Sequence, residues 1–581
     1  MSRGPGRSGL ATAAALALAG ALLYLPSLRA GLVWDDHEYV LADDGRHLPA
    51  ALHGDLIGSA SPAHGPAGYY RPVAVASFGL VHRAGGAGAH HAVSALLHGL
   101  TAGLLFLLLR TRLGGAASVA AALSALAWAA LPASVETVAW ISARYDLLTG
   151  LLAVLFLLVP GGTGFRGAAL SGLLFLAGLL SKESFLAVAA VVLADDWAAS
   201  RSPRSAAPRW LAVAAATLAW IGLRLAFDVP APRPGPAADL PANGLALFSS
   251  WLGRVLLPWP LTVSHPFPAP GGAGLLPLAG AGLAMAALLA LPLRRRDLAP
   301  AVALLLAPLV PAALAAGRLG EAPDRYLYLP TLGLAWLVAA GLAALRDRSR
   351  GAFAAAAAAL AAVAIVQAVL VLRRLPDWRS DDALFAAAAR VDPANPVGAP
   401  YLAVAAVRAG QVDEALSLLR RSQESHPGAG RVASVLAWIH LRQGDAPAAL
   451  EQSRRAVALL PGSPEARIYL SNALHLAGDH RGEVAEAAAA LRLSPSYRPA
   501  RVVHALSRCE VERTPACEEE LDAMERQGIV TGSDALVLRV QAAVARGDGS
   551  AVDRLARLRQ LHPRDPRIPA LERAVGGAVA R

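Results

Sequence analysis

Residues 167–194 read GAALSGLLFLAGLLSKESFLAVAAVVLA, and Lys182 and Glu183 are the only ionisable residues in the run. An apolar stretch of this length reads as two short membrane-crossing helices joined at Ser181–Ser184. Ionisable residues inside such a stretch are costly, and they mark functional positions by default. Lys182 is the only lysine in a chain whose other basic side chains are all Arg. A compact ammonium suits a phosphate held in a cavity. The alternative is a Lys–Glu pair that caps two helices.

Further apolar runs lie at 11–28, 90–109, 116–132, 145–160, 208–227, 274–293, 299–317, 325–344 and 352–372. With the two runs above they give about 11 spans. The bulk composition agrees. The chain has 581 residues, is 55% hydrophobic and only 16% charged, and its mean hydropathy is +0.45. Soluble domains are about one quarter charged, so a simple soluble enzyme is excluded. Basic clusters at Arg110/Arg112, Arg201/Arg204/Arg209, Arg294–Arg296 and Arg346/Arg348/Arg350 all fall on one side when the N-terminus is cytoplasmic. The loop 29–72, with Asp35, Asp36, Glu38, Asp43, Asp44 and Asp55, then lies outside. The Pro-rich stretch 229–241 reads as another external loop, and 245–260 as an interfacial or re-entrant piece.

Past residue 372 the pattern changes. Proline recurs at Pro393, Pro427, Pro461 and Pro495, always 34 residues apart, and returns in phase at Pro563. Glycine recurs at Gly410, Gly444 and Gly478 with the same step. Paired helices with Gly at the inner turn and Pro at the repeat end are the tetratricopeptide pattern, and enough units follow to close a solenoid. Ala415 and Ala449 fall where paired helices approach closely. The expected fold is therefore all-α: a polytopic membrane helical bundle over residues 1–375, then a tetratricopeptide-repeat solenoid over 376–581. An odd span count puts the repeats outside the cytoplasm, with the chain in the plasma (inner) membrane. Residues 373–581 hold 28 basic and 25 acidic side chains. That near-neutrality argues against nucleic acid as a partner. Cys509 and Cys517 suit either one local disulfide or two buried thiols.

Chemistry concentrates at a few places. Trp34-Asp35-Asp36-His37-Glu38 follows the first span directly, and carboxylates there suit general-base work on a hydroxyl, or a divalent metal. Adjacent side chains do not share a face, so one Asp would act while the other orients. Tyr70-Arg71 closes the same loop, and an interfacial Arg can bind a phosphate bidentately. Glu136 and Arg144 with Asp146 bracket a short external turn around Trp140, where they could pair with each other. Arg325-Tyr326 starts a later span from the outside and could meet a leaving phosphate. His91 and His98 lie on one helical face, without metal spacing, and read as packing residues. No P-loop occurs, so ATP-driven transport has no support.

Together these segments resemble the transmembrane and tetratricopeptide-repeat O-mannosyltransferase-like family of the GT-C superfamily. The resemblance rests on Trp34-Asp35-Asp36-His37, Tyr70-Arg71-Pro72, His91 and Leu97-His98. It continues through Val135-Glu136-Thr137-Val138-Ala139-Trp140-Ile141, Arg144-Tyr145-Asp146-Leu147-Leu148, Leu180-Ser181-Lys182-Glu183 and Arg325-Tyr326-Leu327-Tyr328-Leu329-Pro330. Tyr145 stands where the family pattern has Gly. The resemblance implies a GT-C-like bundle and an inverting, polyprenyl-phosphate-sugar-dependent glycosyltransferase, often using mannose. The implied partners are a lipid-linked sugar donor in the membrane and an acceptor protein, recruited by the repeats, that receives the sugar on Ser or Thr. Asp35 or Asp36 would be the base. Tyr70, Arg71, Glu136, Arg144, Asp146, Lys182, Glu183, Arg325 and Tyr326 would bind donor phosphate or substrate. No nucleotide site is required, and the one possible cofactor is a divalent metal, which would sit at Asp35 and Asp36. A non-catalytic membrane scaffold and a transferase or ligase of surface polysaccharide are the alternatives.

Overall fold

The computed structural model describes residues 6–40, 48–56, 68–83, 85–160, 164–230, 240–256, 265, 275–319, 322–512, 514–527, 533–546, 548–565 and 567–579. Helices dominate, and among the described residues there is no strand. The chain divides into two compact units, the first ending at Gly398 and the second beginning at Ala399.

In the first unit, eight helical segments among the described residues are long and apolar enough to cross a bilayer. They are Ala87–Leu113, Ile141–Leu158, Gly164–Ser181, Pro203–Ala226, Leu276–Arg294, Arg296–Ala316, Asp324–Arg348 and Arg350–Trp378. Arg7–Leu23, Pro72–His82 and Gly115–Ala129 are apolar but shorter. Two expected spans differ in detail. The run after Ser184 becomes the 11-residue helix Val188–Ala198, ending in buried Asp195 and Asp196. The run 299–317 breaks into Ala299–Leu306 and Leu309–Leu319, because Pro308 offers no N–H to continue the ladder. The stretch 245–260 falls mostly in the helix Leu240–Leu256. Most of 229–241, together with Asp43 and Asp44, lies outside the described residues.

Small residues set the helix spacing, as expected where lipid removes the hydrophobic drive between helices. Arg7–Leu23 lies against Ala87–Leu113 so closely that a Cβ on Gly99 would sit 2.2 Å from the Ala17 carbonyl oxygen. Leu211, Leu218 and Leu225, seven residues apart on Pro203–Ala226, are exposed. They form an exposed apolar stripe, the kind of surface that suits contact with lipid.

Ion pairs gather at both ends of the helix Arg144–Leu158, whose 15 residues span about 22 Å. Near its C-terminus, Asp195 accepts from Arg112, from Arg201 (3.1 Å) and from Arg209 (3.1 Å), while Arg112 also reaches the Leu157 carbonyl (3.1 Å). The candidate site lies at the other end.

The second unit repeats a helix pair, for example Gly430–Gln443 with Ala446–Leu459, then Pro464–Leu476 with His480–Leu493. Gly410, Gly444 and Gly478 adopt φ of +82°, +73° and +80° between the two helices of a pair, a conformation that costs other residues energy. Asp445 and Asp479 follow directly and cap the next helix through Ala448 N–H and Gly482 N–H. Pro427, Pro461, Pro495 and Pro563 sit in turns after a second helix, and Ala415 and Ala449 are fully buried. Cys509 and Cys517 are free, buried thiols packed with Ala505, Leu521 and Met524.

Candidate active site

Lys182 terminates Gly164–Ser181. Its N–H still closes on the Gly178 carbonyl (2.9 Å), and Phe185 folds back over Gly178, where any Cβ would meet the ring at 2.5 Å. That tight return holds Lys182 extended, at φ −160° and ψ 131°. Glu183 opens the short helical turn Glu183–Ala187, and the two charges take different partners. Lys182 Nζ donates to Asp146 Oδ1 at 2.5 Å. Glu183 instead takes a bidentate pair from Arg71, Nε to Oε2 at 3.1 Å and Nη2 to Oε1 at 2.6 Å.

Arg71 precedes the helix Pro72–His82. Asp55 fixes the chain leading into it, accepting from Gly68 N–H (2.6 Å) and Tyr69 N–H (2.7 Å). The Arg71 guanidinium lies over Tyr145 (4.2 Å) and Tyr69 (4.4 Å). Lys182 Nζ lies 5.1 Å from the Tyr145 ring and 5.0 Å from the Tyr326 ring. Arg325 lies over Tyr326 (5.3 Å) and Trp140 (4.9 Å), and Trp140 stacks on Trp34 at 5.0 Å. Arg325 pairs with fully buried Glu136, whose Oε2 also accepts from Asp324 N–H at 2.9 Å. The order is thus Arg71, Tyr145, Lys182, Tyr326, Arg325, Trp140, Trp34, with cations and rings alternating over the first six positions. Such cation–ring contacts gain strength when water is excluded.

The two adjacent aspartates have different environments. Asp36 is fully buried; its Oδ1 accepts from Ser142 N–H (2.7 Å) and Ser142 Oγ (2.6 Å), and its Oδ2 from Val33 N–H (3.2 Å). Burial pushes its carboxyl up to about 7, partly offset by the Ser142 hydrogen bond. Both oxygens thus accept hydrogen bonds from the protein. Asp35 is half-buried and within electrostatic reach of Tyr145. Trp34 holds a positive φ of 54°, rare for a bulky residue. Its N–H donates to Asp381 Oδ1 (2.6 Å), and Asp381 Oδ2 also meets His37 (3.0 Å).

Of the residues expected at the site, Asp35, Arg71, Asp146, Lys182, Glu183, Glu136, Arg325 and Tyr326 come together. Three do not join them. Asp36 lies beneath the loop. Tyr70 turns away to Phe227, with ring centroids 6.0 Å apart. Arg144 is fully buried, donating to the His90 carbonyl (2.9 Å), contacting His90 Nδ1 (3.1 Å) and lying over Phe78. Glu136 and Arg144 therefore do not pair across their turn. His91 and His98 are buried, and His98 meets Tyr328 Oη and the Ala129 carbonyl, both at 3.0 Å. The expected site lacked Tyr69, Tyr145 and Trp140, rings that the cations lie against. It also lacked Asp324, which accepts from Arg254 (2.6 Å) and Arg374 (3.0 Å) behind Glu136. Tyr145 had a visible signal, since it replaces the glycine of the family pattern.

Burial lowers the affinity of Lys182 for its proton, and neighbouring Asp146 only partly restores it. Burial would raise Glu183, but the Arg71 pair outweighs it and holds that carboxyl below its usual range. Asp146 Oδ2 is buried with no hydrogen-bond partner among the described residues. A lysine with one of three donors committed thus stands beside an unused acceptor. Together they offer both hydrogen-bond senses to a hydroxyl, and positive charge to a phosphate.

A helical membrane unit with charges converging at its helix ends, followed by tetratricopeptide repeats, defines the class of this protein. A tetratricopeptide-repeat family model matches residues 401–464 and 434–498. Protein O-mannosyl-transferase Tmtc1 of Drosophila melanogaster is 39% identical over 146 residues, 24% of this chain and 16% of that protein. Protein O-mannosyl-transferase Tmtc2 of the same fly is 37% identical over 134 residues, 22% of this chain and 14% of that protein. The chain resembles the transmembrane and tetratricopeptide-repeat O-mannosyltransferase family, although each match spans only about one sixth of the relative or less. A thermophilic TPR protein of Thermus thermophilus aligns with 32% of this chain and 100% of its own at 20% identity, with a TM-score of 0.25.

Proposed function

We propose that this protein is a membrane glycosyltransferase. It moves a sugar, mannose in the leading reading, from a polyprenyl-phosphate donor to Ser or Thr hydroxyls of exported proteins. The N-terminus is cytoplasmic, and the site and repeats face outward, the repeats recruiting acceptor or partner protein. The observation that carries this reading is the convergence of Arg71, Lys182 and Arg325 around Tyr145 and Tyr326, beside Asp35. Two buried ion pairs, Lys182–Asp146 and Arg325–Glu136, and the half-buried Arg71–Glu183 pair are poor stabilisers compared with apolar packing, so function is the better reason to retain them.

Asp35 takes the acceptor's hydroxyl proton as the oxygen forms its bond to the anomeric carbon. The bond from that carbon to the phosphate oxygen breaks, and its electron pair leaves with the lipid phosphate. Lys182, with Arg71 and Arg325 beside it, meets the charge that develops there. The transfer inverts the anomeric centre because base and leaving group stand on opposite sides. Asp146 Oδ2 accepts from a sugar hydroxyl. Asp36 positions the loop through Ser142 and does not touch substrate.

The test is the full-length protein in liposomes with radiolabelled polyprenyl-phosphate mannose and a Ser/Thr-rich acceptor peptide. Label should pass to the peptide with wild type and not with Asp35→Asn. Transfer to a polysaccharide acceptor alone would move the protein to the polysaccharide class. Lack of transfer to either acceptor, from several sugar donors, would leave the scaffold reading.

A further inference from the structure

The repeat unit carries a second set of convergent side chains, unrelated to the site above. Residues 475–483 read His-Leu-Ala-Gly-Asp-His-Arg-Gly-Glu. His475 lies in the last turn of Pro464–Leu476, and His480 and Glu483 in the first turn of His480–Leu493. Gly478, at φ +80°, reverses the chain between them, and the Asp479 cap fixes the start of the second helix. His480 and Glu483 are three apart and share a helical face. The fourth member, Glu510, comes from Arg498–Glu512, the first helix of the following pair.

One nitrogen or oxygen from each of the four lies within 4.8 Å of all the others. His475 Nδ1 is 3.0 Å from Glu483 Oε2 and 3.5 Å from Glu510 Oε2. His480 Nδ1 is 3.3 Å from Glu483 Oε2 and 3.9 Å from Glu510 Oε1. Tetrahedral zinc with nitrogen and oxygen ligands at its usual bond lengths needs ligand–ligand separations of about 3.3 Å. The four distances bracket that value. Two neutral imidazoles and two carboxylates sum to a charge of −2, which one divalent ion cancels. Glu483 is buried, whereas the two histidine side chains are 48% and 43% exposed, leaving a route in from solvent.

We infer that His475, His480, Glu483 and Glu510 form a binding site for a zinc-type divalent transition metal that ties two successive repeats together. Imidazole and carboxylate select zinc, cobalt or nickel over calcium, which prefers six or more oxygens. Because the ligands bridge one helix pair and the next, bound metal stiffens the solenoid at that joint. The site is independent of the transferase reading, and its test reads metal rather than sugar.

The full-length protein in detergent, stripped with a chelator and then dialysed, is titrated with zinc against a chromophoric chelator. One equivalent should bind, and cobalt should give the intense visible bands of a tetrahedral site. His480→Ala and Glu510→Gln should each weaken zinc binding on the order of 100-fold, while His562→Ala leaves it unchanged. Zinc should raise the melting temperature of the wild type but not of Glu510→Gln, with helical content matched by circular dichroism. Absence of a stoichiometric equivalent would overturn the inference. So would equal binding by wild type and the His480→Ala/Glu510→Gln double variant.

Discussion

Replacing Lys182 by Met removes a charge while keeping a side chain of similar length. Its partner Asp146 Oδ1 lies 2.5 Å away, and Asp146 Oδ2 already lacks a hydrogen bond among the described residues. The substitution therefore leaves a carboxylate that is 6% exposed with neither oxygen satisfied. Breaking a buried pair this way costs about 3–5 kcal/mol of stability. Replacing both partners, as Lys182→Met with Asp146→Leu, removes the stranded charge and should restore stability to within about 1 kcal/mol of wild type, since apolar isosteres of buried pairs are often neutral or stabilising. Transfer should behave differently. Loss of one preorganised donor at a developing negative charge costs about 100–1,000-fold in rate, and the stable double variant should not recover it. Thermal unfolding in detergent gives the first quantity, and sugar transfer from a synthetic polyprenyl-phosphate donor gives the second. A double variant with wild-type transfer would refute the placement of Lys182 at the donor phosphate. Activity that returns in step with stability would show the pair to be purely structural.

Asp35→Asn should abolish transfer with an unchanged melting temperature, measured in the same two assays. Asp36 binds its proton more tightly folded than unfolded, so its contribution is fully present below its unfolded value and is lost as pH rises toward about 7. Melting temperature should therefore fall over that window, and Asp36→Asn, fixed in the neutral state, should flatten the slope. Gly99→Val should destabilise the membrane unit by about 1–3 kcal/mol, read as a lower melting temperature, because its Cβ would sit 2.2 Å from the Ala17 carbonyl. Gly444→Ala should cost about 1–2 kcal/mol through its left-handed backbone, with a lower unfolding midpoint of the repeats in denaturant.

The repeats were legible because their signals are local. A glycine at each inner turn and a proline after each second helix state backbone conformations directly, and Gly410, Gly444 and Gly478 adopt them. The converging charges were legible as a set of positions because ionisable residues in apolar sequence stand out; Lys182 and Arg325 both lie against the Tyr326 ring. Their partners were not legible. Proximity in sequence suggested Lys182 with Glu183 and Glu136 with Arg144. The first two go to Asp146 and Arg71 instead, both from remote segments. Glu136 finds Arg325 from a remote segment, and Arg144 is drawn inward by His90. Histidine–carboxylate convergence at Glu510 was likewise invisible, since about a repeat period separates Glu510 from His475, His480 and Glu483.

Asp381 gives a practical lesson about where this protein can be cut. It grips the Trp34 amide and His37, the Arg379 carbonyl takes the Gly31 amide at 3.0 Å, and Phe385 meets the Trp34 ring. All three residues come after the last apolar helix, yet they act as the latch on the loop that carries Asp35. A shortened protein ending at residue 375 would discard the latch along with the repeats, whereas one ending at Gly398 would keep it. Comparing the two separates what the solenoid itself contributes from damage done by an unfastened loop.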